Sequence, residues 1–77
     1  FALVQSKGYQ LGNCDLTILA EKPKLAGFIN TMQQCIAADL QSSPEQVSIK
    51  ATTTEKLGFV GRQEGIEAHA VVFLVPV

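Results

Sequence analysis

Between Asn13 and Lys22 apolar and polar residues alternate, with Cys14, Leu16, Ile18 and Ala20 on one side and Asp15, Thr17 and Leu19 on the other. A period of two predicts a strand. From Leu25 the period lengthens. Leu25, Phe28, Ile29, Met32, Cys35, Ile36 and Leu40 recur at helical spacing, which predicts an amphipathic helix of about 16 residues. Pro23 suits its first position, where a missing N–H costs nothing, and Ser42-Ser43-Pro44-Glu45 breaks it. Val47, Ile49 and Ala51 mark a second strand that runs into Thr52, Thr53 and Thr54. Ile66 to Val75, nearly all apolar in its second half, is a third, ended by Pro76. Ahead of the first strand, Phe1 to Lys7 reads as the tail of a helix stopped by Gly8. The order strand–helix–strand–loop–strand predicts an α/β fold whose first two strands are parallel through a right-handed crossover. The expected sheet is mixed, with helices on one face.

Composition adds a constraint on assembly. A chain of 77 residues buries only about 60% of its unfolded surface, and ordering each residue costs roughly 1.5 kcal/mol. Yet 47% of the residues are hydrophobic and only 17% charged, more apolar surface than so small a body hides. The balance predicts an oligomer or a larger body around this segment, with the apolar third strand as a contact surface. A net charge of −1 lacks the basic footprint of a nucleic-acid protein. No apolar run reaches about 18 residues, so no membrane-spanning helix is expected, and no signal peptide is visible. Cys14 falls in the first strand and Cys35 on the apolar face of the helix, where free cysteine behaves as a small hydrophobe; a disulfide is not expected. His69 is the one histidine and there is no C-x-x-C, so a zinc site is not expected either.

The chemistry is concentrated from Lys50 to Gly65, KATTTEKLGFVGRQEG. Threonines at a strand's end offer hydroxyl and N–H donors to an anion, while Glu55 accepts from a donor or ligates a hard cation. Gly58, Gly61 and Gly65 let backbone approach a ligand closely, and Lys56 and Arg62 keep the loop cationic. This is a phosphate-and-metal loop without the spacing of a Walker A motif. Taken singly, each part also suits a plainer role. Thr52 to Thr54 fit a strand end, Glu55 and Lys56 a solvated pair, Phe59 a core plug and Arg62 a surface arginine. His69, on a face with Val71 and Phe73, reads as structural, and Phe28 and Met32 as core. Order and spacing together carry the functional reading.

A second feature precedes the helix. A helix starting at Pro23 leaves the N–H groups of Lys24, Leu25 and Ala26 without intrahelical partners. Such donors can read the edge of a base, with Ala20, Pro23 and Leu25 walling its faces.

Lys50 to Gly65, with Gly8-Tyr9, Asn13-Cys14-Asp15 and Ala20-Glu21-Lys22-Pro23-Lys24-Leu25, resembles the 2-C-methyl-D-erythritol 2,4-cyclodiphosphate synthase family of non-mevalonate isoprenoid synthesis. The resemblance covers nearly the whole chain. Family chains are longer, and this one opens on Phe1-Ala2-Leu3-Val4 with no initiator methionine. It therefore reads as the carboxy-terminal half, residues 1–77, of a single synthase domain whose amino-terminal half is absent. The implied reaction converts a cytidine-diphospho methylerythritol 2-phosphate to the cyclic diphosphate and releases CMP.

Carried over, the resemblance implies that Ala20, Glu21, Lys22, Pro23, Lys24, Leu25 and Ala26 hold the cytosine, largely through backbone atoms. Ala51, Thr52 and Thr54 belong to the same nucleotide site, and Thr53 is the catalytic threonine that contacts phosphate and supports the transition state. Glu55 is the ligand of a magnesium or manganese ion bridging the α- and β-phosphates. Phe59 and Arg62 line a cavity on the axis of a homotrimer, where an isoprenoid diphosphate sits. The family's zinc is held by residues not in this sequence, so this segment alone is expected to be inactive. The implied location is the cytoplasm, or the plastid stroma in a plant or alga. A non-catalytic module that keeps the cytidine-nucleotide contacts without zinc, and a ligand-free oligomerisation domain, are the alternatives.

Overall fold

The computed structural model describes residues 1–77. Three strands form one mixed sheet: β1 (Tyr9–Leu19), β2 (Val47–Thr52) and β3 (Glu67–Pro76). β1 is central, parallel to β2 and antiparallel to β3. Helix α1 (Ala2–Ser6) precedes β1, α2 (Ile29–Asp39) links the parallel pair, and a short α3 (Gly58–Gly61) lies between β2 and β3. None of these helices is long and apolar enough to cross a membrane.

The alternation of β1 continues further back than the sequence pattern shows. Leu11 and Cys14 are both buried although three residues apart, which no regular strand allows. The pairing with β3 slips between Leu11 and Asn13, so Gly12 is the extra residue of a bulge. A β-carbon on Gly12 would stand 2.8 Å from the Phe73 ring, so glycine is required there. The strand therefore begins at Tyr9, and it ends at Leu19 rather than Lys22.

One face of the sheet carries the helices. Leu11, Cys14, Ala37 and Val47 form the buried cluster, with Phe1, Ile36 and Leu40 packed against it. Val47 is 1% exposed, and burying a valine fully stabilises by about 1.5–3 kcal/mol. Two glutamines fix the start of β2 beside the bulge. Gln33 Nε2 donates to the carbonyls of Pro44 and Val47 at 2.5 and 2.8 Å. Gln46 Nε2 donates to those of Leu11 and Gly12 at 3.1 and 3.0 Å, while its Oε1 accepts from Ser43 N in a capping box. Cys14 is thereby set opposite Val47, and the parallel register carries Leu19 to Thr52.

Three expectations about the helix are corrected. It does not begin at Pro23: Glu21–Pro23 is a bend containing a cis Lys22–Pro23 peptide, a 3-10 turn spans Ala26–Phe28, and α2 starts at Ile29. Proline in a bend and proline at a helix start leave the same mark in a sequence. In the bend, the Glu21 carboxylate accepts from the loop after β2. Phe28 is exposed and Met32 half-buried, because α2 packs on β2 through Gln33, Ile36 and Ala37 rather than through its whole apolar stripe. Cys35 is likewise exposed; both cysteines are free thiols.

No helix covers β3. Val71 and Phe73 on one face and Val72 on the other are more than half exposed. The radius of gyration is 14.5 Å, against about 11.5 Å for a compact chain of this length, and the body measures 43 × 22 × 15 Å. The architecture is a thin slab with one clothed face.

Candidate functional site

In open α/β sheets, ligands bind beyond the carboxyl ends of parallel strands, and β1 and β2 end together. Ala20 N donates to Thr52 O at 3.0 Å, extending the pairing by one bond. Beyond it lies a cleft of about 210 Å³. Ala20, Glu21, Pro23, Lys24, Leu25 and Ala26 line one side of it, and Ala51, Thr52 and Thr53 the other. Two stretches about 30 residues apart in sequence, singled out separately by pattern, thus share one hollow. Lys22 does not line it.

The N–H groups of Lys24, Leu25 and Ala26 donate to no carbonyl of the chain. They are free for a different reason from the one expected, since they precede α2 rather than open it. The loop presents them beside apolar Pro23 and Leu25, a surface suited to the flat face and polar edge of a base.

The three threonines differ in what their hydroxyls do. Thr52 Oγ1 is 3.4 Å from the Thr53 carbonyl. Thr53 Oγ1 accepts the N–H of Glu55 at 3.3 Å, which leaves its own proton available to an incoming oxygen. Thr54 Oγ1 donates to Leu57 O at 2.7 Å and lies 3.4 Å from Glu21 Oε1; one proton serves the shorter bond. Thr54 is therefore engaged in shaping the loop, and it lies outside the cleft.

Glu55 and Lys56 both adopt left-handed backbone, with φ of 55° and 65°. Such a conformation costs roughly 1–3 kcal/mol per non-glycine residue and persists only where the surroundings over-determine it. Here Glu21 Oε1 accepts from Thr54 N at 3.3 Å and from Lys56 N at 3.0 Å. On the far side, Gly61 packs directly on the Lys56 backbone. The Glu55 carboxylate takes part in neither the Arg62–Glu64 ion pair nor the His69–Glu67 contact, and is exposed.

Phe59 and Arg62 lie apart from the cleft. Phe59 belongs to α3, a helix that replaces part of the expected loop, and lines a second cavity of about 330 Å³ with Thr54, Leu57, Gly58, Val60 and Glu67. Arg62 lines neither cavity; its Nε donates to both Glu64 oxygens at 2.8 and 3.0 Å. Sequence reasoning missed Leu57, Val60 and Glu67 because nothing in their local pattern marks a cavity wall.

Magnesium is commonly held by one or two carboxylates together with substrate phosphates, and the unpaired Glu55 beside the Thr53 hydroxyl fits that use. Zinc in a catalytic site needs three protein ligands, and no three His, Cys, Asp or Glu side chains cluster closely enough. His69 Nε2 lies 2.6 Å from Glu67 Oε2 on β3, away from the cleft. This chain's residues do not fit zinc.

Comparison with known proteins then gives the site a context. Residues 1–75 match the YgbB family. A curated relative from Pseudomonas putida (strain W619), 2-C-methyl-D-erythritol 2,4-cyclodiphosphate synthase, is 58% identical over 74 residues, covering 96% of this chain and 47% of its own length. The crystal structure of the synthase from Plasmodium vivax superposes with a TM-score of 0.95 at 33% identity, over 99% of this chain and 51% of that one. The structure of IspF from Plasmodium falciparum in complex with CDP superposes with a TM-score of 0.93 at 33% identity, over 97% and 48%. The chain spans about half the length of the curated relatives it matches.

Proposed function

The chain belongs to the YgbB family, and from that premise we propose that it forms the carboxy-terminal half of a 2-C-methyl-D-erythritol 2,4-cyclodiphosphate synthase. The reaction converts 4-diphosphocytidyl-2-C-methyl-D-erythritol 2-phosphate to the 2,4-cyclodiphosphate and CMP. An oxygen of the substrate's own 2-phosphate attacks the β-phosphorus. The bond from that phosphorus to the bridging oxygen breaks, and its electron pair leaves on the α-phosphate of CMP. No protein nucleophile is needed; positioning and charge stabilisation suffice.

The reading rests on one observation above others. A hydroxyl with an uncommitted proton, Thr53, shares a cleft with the free N–H groups of Lys24, Leu25 and Ala26. The N–H groups hold the cytosine edge, Pro23 and Leu25 flank the ring, and Thr52 lines the nucleotide side. Thr53 donates to the phosphate oxygen on which charge grows. Glu55 would hold a magnesium or manganese ion, which would supply neutralisation of the leaving phosphate. Zinc ligation is assigned to residues outside this chain.

The assembly is read as a homotrimer with active sites between subunits. The bare faces of β3 support this, since exposed apolar patches of such extent mark contact surfaces. Phe59 and Arg62, three residues apart at the end of α3, are assigned to an axial cavity that takes an isoprenoid diphosphate; the guanidinium suits the diphosphate and the ring its tail.

The test is calorimetry of cytidine and uridine nucleotides on the intact protein, with an assay of CMP release. Cytidine nucleotides should bind far better, because their N3 and N4 edges present different donors and acceptors, and a mismatched partner leaves a buried group unpaired. Equal affinity for CDP and UDP would count against the base site. Selective binding without CMP release would favour the non-catalytic nucleotide-binding module.

A further inference from the structure

We infer that Glu21 is a positioning residue that holds the Glu55 turn in its working conformation and ties the base side of the cleft to the phosphate side. The inference rests on the functional reading above, and it assigns the Glu21 side chain a different task from ligand contact.

Glu21 follows β1 on the base side of the cleft, in the bend that leads to Pro23. Its Oε1 crosses to the other side and accepts two backbone N–H groups, from Thr54 at 3.3 Å and Lys56 at 3.0 Å. These are the residue before Glu55 and the residue after it. Between two amides fixed on one oxygen, the Glu55 backbone has little freedom to rotate. A carboxylate suits the task, because charge-assisted acceptors form the stronger bonds to backbone N–H.

Packing does not do this work. Thr53, Glu55 and Lys56 are all exposed, so no buried side chain of the turn dictates its shape. The supports are Glu21 on one side, Gly61 against Lys56 on the other, and three bonds within the turn: Leu57 N to Thr54 O at 3.0 Å, Thr54 Oγ1 to Leu57 O at 2.7 Å and Glu55 N to Thr53 Oγ1 at 3.3 Å. Of these, Glu21 alone comes from the base side. Without it the left-handed pair at Glu55 and Lys56 loses an anchor, and the Glu55 carboxylate and Thr53 hydroxyl move with the turn. The two hydrogen-bonded partners are 33 and 35 residues away in sequence, so no local pattern reveals the link.

The experiment compares Glu21→Ala, Glu21→Gln and Glu21→Asp in the intact enzyme, by steady-state CMP release, magnesium titration, and hydrogen–deuterium exchange of the Thr52–Leu57 segment. Glu21→Ala should lower kcat roughly ten- to a hundredfold, the scale of about an ångström of misplacement, with KM nearly unchanged. It should also raise the magnesium needed for half activity and speed exchange at Thr54 and Lys56. Glu21→Gln keeps an acceptor oxygen at the same reach and should recover most of the kcat and the protection. Glu21→Asp is one methylene short and should behave like the alanine variant, which keeps the comparison informative if Glu21→Ala does not fold. Native kcat in Glu21→Asp, native exchange at Thr54 and Lys56, or a glutamine variant as impaired as the aspartate one would each overturn the inference. If the native protein released no CMP, the functional reading would fall, and the exchange comparison would still decide whether Glu21 holds the turn.

Discussion

Gly61 lies so close to Lys56 that a β-carbon on it would stand 2.6 Å from both the Cα and the carbonyl oxygen of Lys56. Nothing flexible is available to yield, because the opposing atoms are backbone. The C-terminal end of α3 and the left-handed Glu55–Lys56 pair are thus pressed together, and the loop's shape depends on an absent side chain.

Gly61→Ala should therefore cost about 1–3 kcal/mol, the usual range for forcing extra volume into packed structure. It should also displace the Glu55 turn. Thermal melting of the intact protein reads the first effect, and a raised magnesium requirement for turnover the second. A variant with native melting and native metal dependence would show that the turn and α3 are not coupled.

The second prediction concerns the bare strand. Val71 pairs with Asp15 and Phe73 with Asn13 on the face away from the helices, and they are 71% and 61% exposed. The proposed trimer covers this face. Val71→Asp should dissociate the intact assembly in sedimentation at micromolar concentration, while a substitution at exposed Lys7, just after α1, should leave it whole. A native protein that sediments as a stable monomer would sink the assembly.

The two thiols should separate cleanly. Burial pushes the Cys14 thiol above its ordinary value of 9.0, and the nearby Asp15 carboxylate adds to the shift, whereas Cys35 is exposed. Maleimide or iodoacetamide at pH 8 should label Cys35 first and Cys14 only on unfolding. A pKa raised in the folded state contributes stability that is complete below the unfolded value and lost as pH rises through the folded one. Native stability should accordingly fall above about pH 9, and Cys14→Ala should remove that part of the decline. Equal labelling rates would contradict the burial.

How much of this was legible in the sequence follows from the range of each interaction. The three strands were, because alternation is local and Cys14, Leu16, Ile18 and Ala20 write it plainly. The bulge at Gly12 was not, since one extra residue shifts the phase and makes Leu11 look out of step. The pattern puts the start of α2 at Pro23 because a proline in a bend and one at a helix start look alike, and α3 lies in a run that glycines mark as loop. At the site, the Ala20–Ala26 and Ala51–Thr53 segments could be named but not brought together by pattern alone. Nor could the threonines be ranked, because Thr53 and Thr54 differ only in partners that folding supplies. Glu21 shows the limit most clearly, as its partners lie a helix and a strand away.

The last prediction separates Thr53 from Glu55. A carboxylate beside two phosphates repels them unless a cation intervenes, so Glu55 is useful at this turn as a metal ligand. Glu55→Gln keeps the shape and removes the charge. In the intact enzyme it should shift the magnesium or manganese titration steeply upward and lower turnover, with little change in CMP binding, because the base contacts lie on the other side of the cleft. Thr53→Ala removes a donor whose effect is largest in the transition state. It should cut turnover even at saturating metal, on the order of a hundredfold, as lost electrostatic donors do, with KM little moved. The Thr53 hydroxyl also accepts the Glu55 N–H, so Thr53→Ser, which restores both functions, should return most of the rate. Parallel metal titrations of the three variants decide the matter. Wild-type metal dependence in Glu55→Gln would make Glu55 a solvated surface charge, and an inert Thr53→Ala would move the phosphate donor elsewhere in the loop.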